Sequence, residues 1–487
     1  MEELKKDKID DIGAPISVKS KSHYPYTIFH RSEKAQLIFI LSLVGFWSTI
    51  SSPIYFPALP TLTKYFDTTE DVMNVSVVCY LLSQGVTPTI SSNLADTFGR
   101  RPVILVSILV FVIACVAISQ TNVYWLLAVL RCIQAAGIAP VIAISSGVSS
   151  DVCTPEERGS MVGTVAGLQF CGNGIGGLVG AALISGFGTW RSIFAFLAIG
   201  GGVTFVLAFF ILAETSRRIV GNGTVMPSLL IHRCPSIYLP SFQKKLTNDY
   251  VTIEPAKPFD IMGPFRIFFQ KEVILTLLHS GIHFAAWSMV LTSLSTELES
   301  ARYNYSVMHV GLIYLPQGLA CLIGSIAIGK VMNWYYRKRM ASFDRKVENL
   351  PLDERPEFNQ VTTRLTLCVI PAATMIIGLI IFGWCVQYRQ HIVSIIISTI
   401  LIAFSSAVLL SICTTMLVDL HPEQGCASAS CLNLMRCWLA ALGVGVLDKM
   451  VKAMGLGGTY TLVAGLCFVG DLCLVYVLFI VKNRDQH

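Results

Sequence analysis

The chain has 487 residues, of which 53% are hydrophobic and only 14% charged, and its formal net charge is +6. So apolar a composition excludes an ordinary water-soluble domain. The positive charge is spread over many segments and forms no single block, which excludes a nucleic-acid-binding patch.

Runs of about 20 mainly apolar residues recur along the chain, each long enough to cross roughly 30 Å of hydrocarbon as a helix. The first set lies at Ala35 to Pro57, Val72 to Ala95, Pro102 to Ser119, Tyr124 to Ser146, Ser160 to Ser185 and Ser192 to Ala213. The second lies at Glu272 to Thr296, Tyr305 to Met332, Thr363 to Gln387, Ile392 to Val418, Ala427 to Met450 and Thr459 to Val481. An all-α membrane protein of twelve transmembrane helices is predicted, in two six-helix halves spanning 35–213 and 271–482. Around them stand an N-terminal segment 1–34, read as cytoplasmic and disordered, a polar linker 214–270 and a short tail 483–487.

Lys and Arg set the orientation, because short loops rich in them stay on the cytoplasmic side. With the N-terminus inside, about two dozen fall on inner segments and about four on outer ones. The start, "MEELKKDKIDD", is hydrophilic, so no cleavable signal peptide is expected and both termini are placed in the cytoplasm. Asn304, in "NYS", then falls in an outer loop and is a glycosylation candidate, whereas Asn222, in "NGT", falls inside. The linker stretch "PSLLIHRCPSIYLPSFQKK" is read as lying along the inner surface. Most of the 15 cysteines, among them Cys79, Cys115, Cys171, Cys413 and Cys473, sit inside apolar runs without metal-like spacing and are read as small apolar residues.

The chain repeats itself six helices apart. "SDVCTPEERG", from Ser150, matches "VDLHPEQG", from Val418, in an Asp, a Pro-Glu pair and a Gly. "SNLADTFGRR" after the second run aligns with "GKVMNWYYRK" after the eighth, with Asn333 where Asp96 stands. Parallel halves related by an axis along the membrane normal are one way to build a transporter around a central cavity.

These residues resemble a known family, the major facilitator superfamily. Its loop between the second and third helices, G-x-L-A-D-R-x-G-R-R, is matched by Leu94, Ala95, Asp96, Gly99, Arg100 and Arg101, with Ser92 and Thr97 departing. Its fourth-helix pattern R-x-x-Q-G-x-G appears as "RCIQAAG", carried by Arg131, Gln134 and Gly137. The antiporter fifth-helix pattern G-P-x-x-G-G appears as "GNGIGG", with Asn173 in place of Pro. "YFPALP" and "ETSRRIVGNGT" look like the fungal twelve-helix drug:proton antiporters, the quinidine-resistance and acid-resistance exporters. The resemblance implies a major facilitator fold of two pseudo-symmetric halves, and a gating role for Asp96, Gly99, Arg100 and Arg101.

Arg131 is a route candidate on physical grounds too, since a guanidinium inside an apolar helix is costly unless it faces water, a partner or the bundle interior. Gln134 lies on nearly the same face. His279, His283 and Trp287 recur every four residues and predict a shared, pH-responsive wall, to which Tyr314 adds a second aromatic. Asp471 is the only acid deep in a span; it is expected to pair with Arg436 or to carry the coupling proton. Tyr55, Gln169, Gln317, Ser411, Thr414 and Asn433 are added from helix number and polarity. The glycines at 163, 167, 172, 176 and 180 have small-residue spacing, which packs helices together in any membrane protein. For Arg100 and Arg101 the plainer alternative is that they are topogenic charges alone.

No phosphate-binding loop, His-Glu-x-x-His or Cys-x-x-Cys pair is present, so neither an enzyme nor a cofactor or resident metal is expected, and energy must come from a gradient. The expected protein is a monomeric, proton-coupled exporter of drugs, weak organic acids or small metabolites, with lipid around it. Its expected site is the plasma membrane, with the vacuole or another internal membrane as alternative. A facilitative or uptake carrier and a nutrient sensor are the competing readings. "ETSRR" lacks the Pro-Glu-Ser-Pro-Arg signature of sugar porters, and only a few residues follow Val481 to serve as a signalling tail.

Overall fold

The computed structural model describes residues 26–153, 155–238, 243, 246, 253, 268–300, 303–347, 360–420 and 425–484. Most of the expected N-terminal segment, the far part of the linker, the last residues of the tail and parts of both Pro-Glu loops lie outside the described residues.

The first half comprises α1 (Arg31–Ile50), α2 (Glu70–Phe98), α3 (Arg100–Gln120), α4 (Tyr124–Ile138, resumed as Pro140–Val152), α5 (Pro155–Phe187) and α6 (Arg191–Ile211). The second comprises α7 (Lys271–Glu299), α8 (Val307–Val347), α9 (Val369–Gln387), α10 (Ile392–Leu420), α11 (residues 425–454) and α12 (residues 456–484), the last two joined through Gly455 at φ 71°. Among the described residues nine rods are long and apolar enough to cross a membrane, α11 and α12 counting as one. The α2 helix falls short because polar side chains such as Asn74, Ser76, Gln84 and Ser92 stud it, and most of them are buried against protein rather than offered to lipid.

Several boundaries differ from the sequence reading; the ninth run, for example, is interrupted by a 3-10 turn at Thr366–Cys368 before α9 begins. The first run does not stay α-helical to Pro57: α1 stops at Ile50 and a 3-10 segment, Pro53–Ala58, follows, since Pro53 and Pro57 supply no backbone N–H for the ladder. The eighth run does not end at Met332 but continues to Val347, past the loop expected there.

Small residues set the helix spacing. A Cβ at Gly176 would meet Pro53 Cγ at 2.6 Å, and one at Gly172 would meet the Ile50 backbone at 2.8 Å, so α5 lies directly on α1 and the 3-10 segment. A Cβ at Gly177 would meet the Tyr314 ring at 2.6 Å, which brings α5 against α8 across the halves. Gly85 opens α2 to Cys437 and Trp438 of α11 in the same manner. The two-fold repeat is visible in these pairings, because exchanging the halves maps the α2–α11 contact onto the α8–α5 contact.

Both ends of the interface are tied. On the side of the α2–α3 turn, Ser92 Oγ lies 3.2 Å from Ser430 Oγ, and midway along α2 Asn433 Nδ2 donates to the Gln84 carbonyl at 2.6 Å. On the far side, Ser295 Oγ of α7 donates to the Phe56 carbonyl at 2.8 Å.

Candidate functional site

Three polar constellations stand out from the apolar body, and the first surrounds the α2–α3 turn. Gly99 ends α2 at φ 95°, a conformation closed to side-chain-bearing residues, and a Cβ there would meet Glu214 Oε2 at 2.5 Å. The turn is bound to Glu214, just past α6. Its carboxylate accepts the N–H of Arg100 at 2.9 Å and of Arg101 at 3.2 Å, capping the N-terminus of α3 where the dipole favours an anion. It also accepts the N–H of Thr215 and Ser216, each at 3.0 Å, and sits 3.2 Å from His232 Nδ1. Burial opposes its ionisation, but the bonds from His232, Ser216 and Arg100 outweigh that cost and hold its carboxyl below the usual carboxylate range.

Arg101 is 1% exposed. Its guanidinium donates to the carbonyls of Leu212 and Phe209, both at 2.8 Å, and of Ile231 at 3.2 Å, closing the C-terminus of α6. It therefore does more than fix topology. Arg100 pairs with Asp96 at 2.6 Å and with Asp151 at 3.1 Å. Asp151 lies beyond the apolar stretch Tyr124–Ser149, and burial pushes its carboxyl up to about 6 despite Arg100. Arg218 donates to the Asp96 carbonyl, and Arg217 to the Asp151 carbonyl. Thus the four residues expected to gate, Asp96, Gly99, Arg100 and Arg101, lie together at this turn, with contacts inside the first half and at the start of the linker. Sequence reasoning quoted "ETSRR" without assigning Glu214, Arg217 or Arg218, and Asp151 only as part of a repeat. An acid immediately after an apolar run was the available signal.

The second constellation is Arg131, 1% exposed, between α1, α2 and α4. The rings of Tyr55 and Tyr80 lie on it with each centroid 4.2 Å from its guanidinium carbon, and its Nη1 donates to Gln134 Oε1 at 2.7 Å and to the Ser51 carbonyl at 3.4 Å. Tyr55 Oη is 2.7 Å from Ser76 Oγ. Two aromatic faces and neutral oxygens, with no carboxylate paired to it among the described residues, hold the charge by cation–π attraction. Its Nε makes no hydrogen bond. Tyr80 escaped the sequence reading, since no local pattern on α2 announces that its ring meets Arg131.

In the second half the predicted stripe divides. His279 and His283 turn toward α12, whereas Trp287 packs against Ala320 and Cys321 of α8 and Ala403 and Ala407 of α10. Asp471 does not pair with Arg436. Its Oδ1 lies 3.1 Å from His279 Nδ1 and 3.3 Å from His283 Nε2, because α12 presents it to α7. Arg436 instead donates to Asn433 Oδ1 at 3.1 and 2.8 Å and lies 4.7 Å over the Phe284 ring. Gln317 is buried with its Oε1 unbonded, and Trp287 Nε1 is likewise unbonded. Tyr314 donates to the Leu291 carbonyl at 2.6 Å. Gln169 reaches the Leu41 carbonyl and Ser145 Oγ, each at 3.4 Å. Ser411 and Thr414 bond back to their own helix, at Ala407 and Leu410. Asn173 is half-buried on α5, and its departure from Pro leaves that helix unbroken.

The sequence profile of the Major Facilitator Superfamily matches residues 41–344. MFS antiporter QDR2 of Candida albicans is 67% identical over 482 residues, covering 99% of this chain and 95% of that protein. MFS antiporter QDR1 of the same organism is 66% identical over 481 residues, covering 99% and 94%. Quinidine resistance protein 1 of Saccharomyces cerevisiae is 37% identical over 484 residues, covering 95% and 85%. Among solved structures, the human organic anion transporter MFSD10 (TETRAN) superposes with a TM-score of 0.63 at 14% identity over 91% of this chain and 99% of that one, a likeness of fold alone. With its two six-helix halves, its bound α2–α3 turn and these identities, the chain belongs to the major facilitator superfamily.

Proposed function

We propose that the protein is a proton-driven antiporter that exports drugs, weak organic acids or small metabolites by alternating access. The observation that carries this reading is its end-to-end similarity to two relatives named antiporters. In this reading the termini face the cytoplasm, the protein works as a monomer in the plasma membrane, and Asn304 rather than Asn222 is accessible to glycosylation. The halves rock about their common interface, and the bound α2–α3 turn biases the two-state equilibrium. Arg131, Gln134 and Tyr55 from the first half, and Gln317, Trp287, Asn433 and Arg436 from the second, line the route, with Asn173 between them. Arg131 offers a permanent charge behind two aromatic faces, a surface suited to planar, amphipathic or anionic substrates.

Expression in a drug-sensitive fungal strain lacking its own exporters tests this. Accumulation of a substrate panel should fall when the protein is present, and a proton uncoupler should abolish the difference. Raised accumulation would mark an importer, and an effect insensitive to the uncoupler a facilitator. Within that assay, transport per surface molecule should fall in the order wild type, Arg131→Lys, Arg131→Ala, since Lys keeps the charge but loses the planar fork. Unchanged transport per molecule in Arg131→Ala would remove it from the route.

A further inference from the structure

Between α7 and α12 the second half holds a set of donor atoms that includes Asp471, the expected carrier of the coupling proton, and that the route residues named above leave aside. His279 and His283 are 0% and 1% exposed, and their rings lie 4.4 Å apart one turn from each other on α7. Asp471 reaches them from α12, its Oδ1 3.1 Å from His279 Nδ1 and 3.3 Å from His283 Nε2. These distances suit hydrogen bonds but the directions are poor: His283 Nε2 and Asp471 Oδ1 are buried without a well-directed hydrogen bond. Such groups are expensive to bury unless something satisfies them.

The state of His283 is fixed by its other nitrogen. Its Nδ1 lies 2.8 Å from the His279 carbonyl, which can only accept, so Nδ1 carries the proton. In the neutral ring Nε2 is then a lone pair facing a carboxylate oxygen, and two acceptors at that separation repel each other unless a cation stands between them. A ring whose far nitrogen is anchored to a backbone carbonyl is the arrangement that orients histidine toward metal ions. Two histidines at i and i+4 on one helix are a known metal-binding spacing, and two nitrogens with one carboxylate oxygen are a zinc-type donor set. Tetrahedral zinc, with bonds of about 2.0–2.1 Å, separates its ligand atoms by roughly 3.3 Å. The two nitrogen–oxygen separations match that edge, and all three ligating atoms lie within 4.8 Å of one another.

We propose that His279, His283 and Asp471 bind one divalent transition-metal ion of the zinc class, pinning α7 to α12. The thiols of Cys368 and Cys413 form a second trio with His279, also within 4.8 Å. The nitrogen–oxygen set is preferred because only there does a backbone bond fix a lone pair toward the site. The spacing rules applied to the sequence missed it because Asp471 is remote in the chain and the thiols lie on two further helices.

The full-length protein, purified in detergent and stripped with a chelator, is titrated with cobalt(II) as a visible stand-in for zinc. One equivalent should bind with the d–d absorption of a tetrahedral nitrogen–oxygen site, without a thiolate-to-cobalt charge-transfer band, and zinc should displace it. His283→Ala and Asp471→Asn should weaken binding by more than the roughly 10–100-fold that loss of an outer partner of a metal ligand costs. Absence of tetrahedral absorption in the wild type would overturn the proposal in favour of a proton-bridged cluster, and a charge-transfer band would move the ion to the thiols. The wild-type titration decides even where a variant fails to fold, and it is independent of any transport result.

Discussion

After α2 the chain reads "SNLADTFGRR" and after α8 it reads "GKVMNWYYRK", yet Gly99 breaks the first helix while Tyr336, its counterpart, lets the second run on to Val347. The basic pairs that follow meet opposite environments. Arg100 and Arg101 are 8% and 1% exposed and bound to Asp151, Asp96 and three α6 or linker carbonyls. Arg337 and Lys338 are exposed, and with Lys330, Asn333 and Trp334 they line a shallow surface hollow. A repeat inherited by both halves has thus become a fastened turn in one and a continuous rod in the other. What separates them is one glycine and the acid that its missing side chain admits.

Gly99→Ala should break that difference most severely. It places a Cβ against Glu214 Oε2 at 2.5 Å and Ile219 at 2.9 Å, in a backbone conformation costly for any L side chain. Strain and overpacking together should cost on the order of 3 kcal/mol. Thermal unfolding of the detergent-solubilised protein should show the loss, and Tyr336→Ala should cost less than about 1 kcal/mol. Equal effects in the two variants would mean that the α2–α3 turn is no more constrained than the α8 rod.

Arg101→Lys follows in size. Lysine keeps the charge but cannot present the fork that serves Leu212, Phe209 and Ile231 together, so about 2 kcal/mol should be lost. Lys338→Ala, on the exposed rod, should stay within about 0.5 kcal/mol. The same unfolding measurement separates them.

How much of this contrast could be read from sequence depends on what each feature requires. The helices were legible because hydrocarbon thickness imposes a length and an apolar composition, and α2 was found although its interior is polar. Gly99, Arg100 and Arg101 were legible through a motif. The partner that gives them purpose was not: Glu214 stands 114 residues from Arg100 along the chain, and no local pattern announces that a carboxylate after α6 caps α3. Asp471 shows the same limit. A lone acid in an apolar run signals that a partner exists, but Arg436 and His279 were both within plausible reach, and only the rotation of α12 toward α7 selects the histidines.

Asp96→Asn tests function rather than fold. The Asp96 side chain is 38% exposed, so its pair with Arg100 contributes little to stability. Membrane abundance should stay near normal while transport falls about tenfold, equivalent to about 1.4 kcal/mol of conformational bias. The converse change, Asn333→Asp on the exposed rod, should leave transport unaltered. Normal transport in Asp96→Asn at equal abundance would reduce the first turn to a structural clamp.

The smallest expected effect is a pH dependence confined to the fastened turn. Burial holds the Asp151 carboxyl at about 6, above its value of about 3.9 in an unfolded chain. The folded protein therefore keeps a proton that the unfolded chain releases, so this contribution is fully present below about pH 4 and is lost as pH rises through about 6. Glu214 has the opposite sign: its depressed carboxyl contributes stability above the ordinary carboxylate range and loses it only as pH falls below that range. Between about pH 7 and 5.5 only Asp151 of this pair titrates, and the wild type should gain somewhat less than about 1 kcal/mol from it. Asp151→Asn cannot take up that proton, so the difference between the two unfolding profiles across this window isolates its contribution. Parallel profiles would show that Arg100 at 3.1 Å holds Asp151 ionised throughout, and that the fastened turn is as indifferent to pH as the exposed rod.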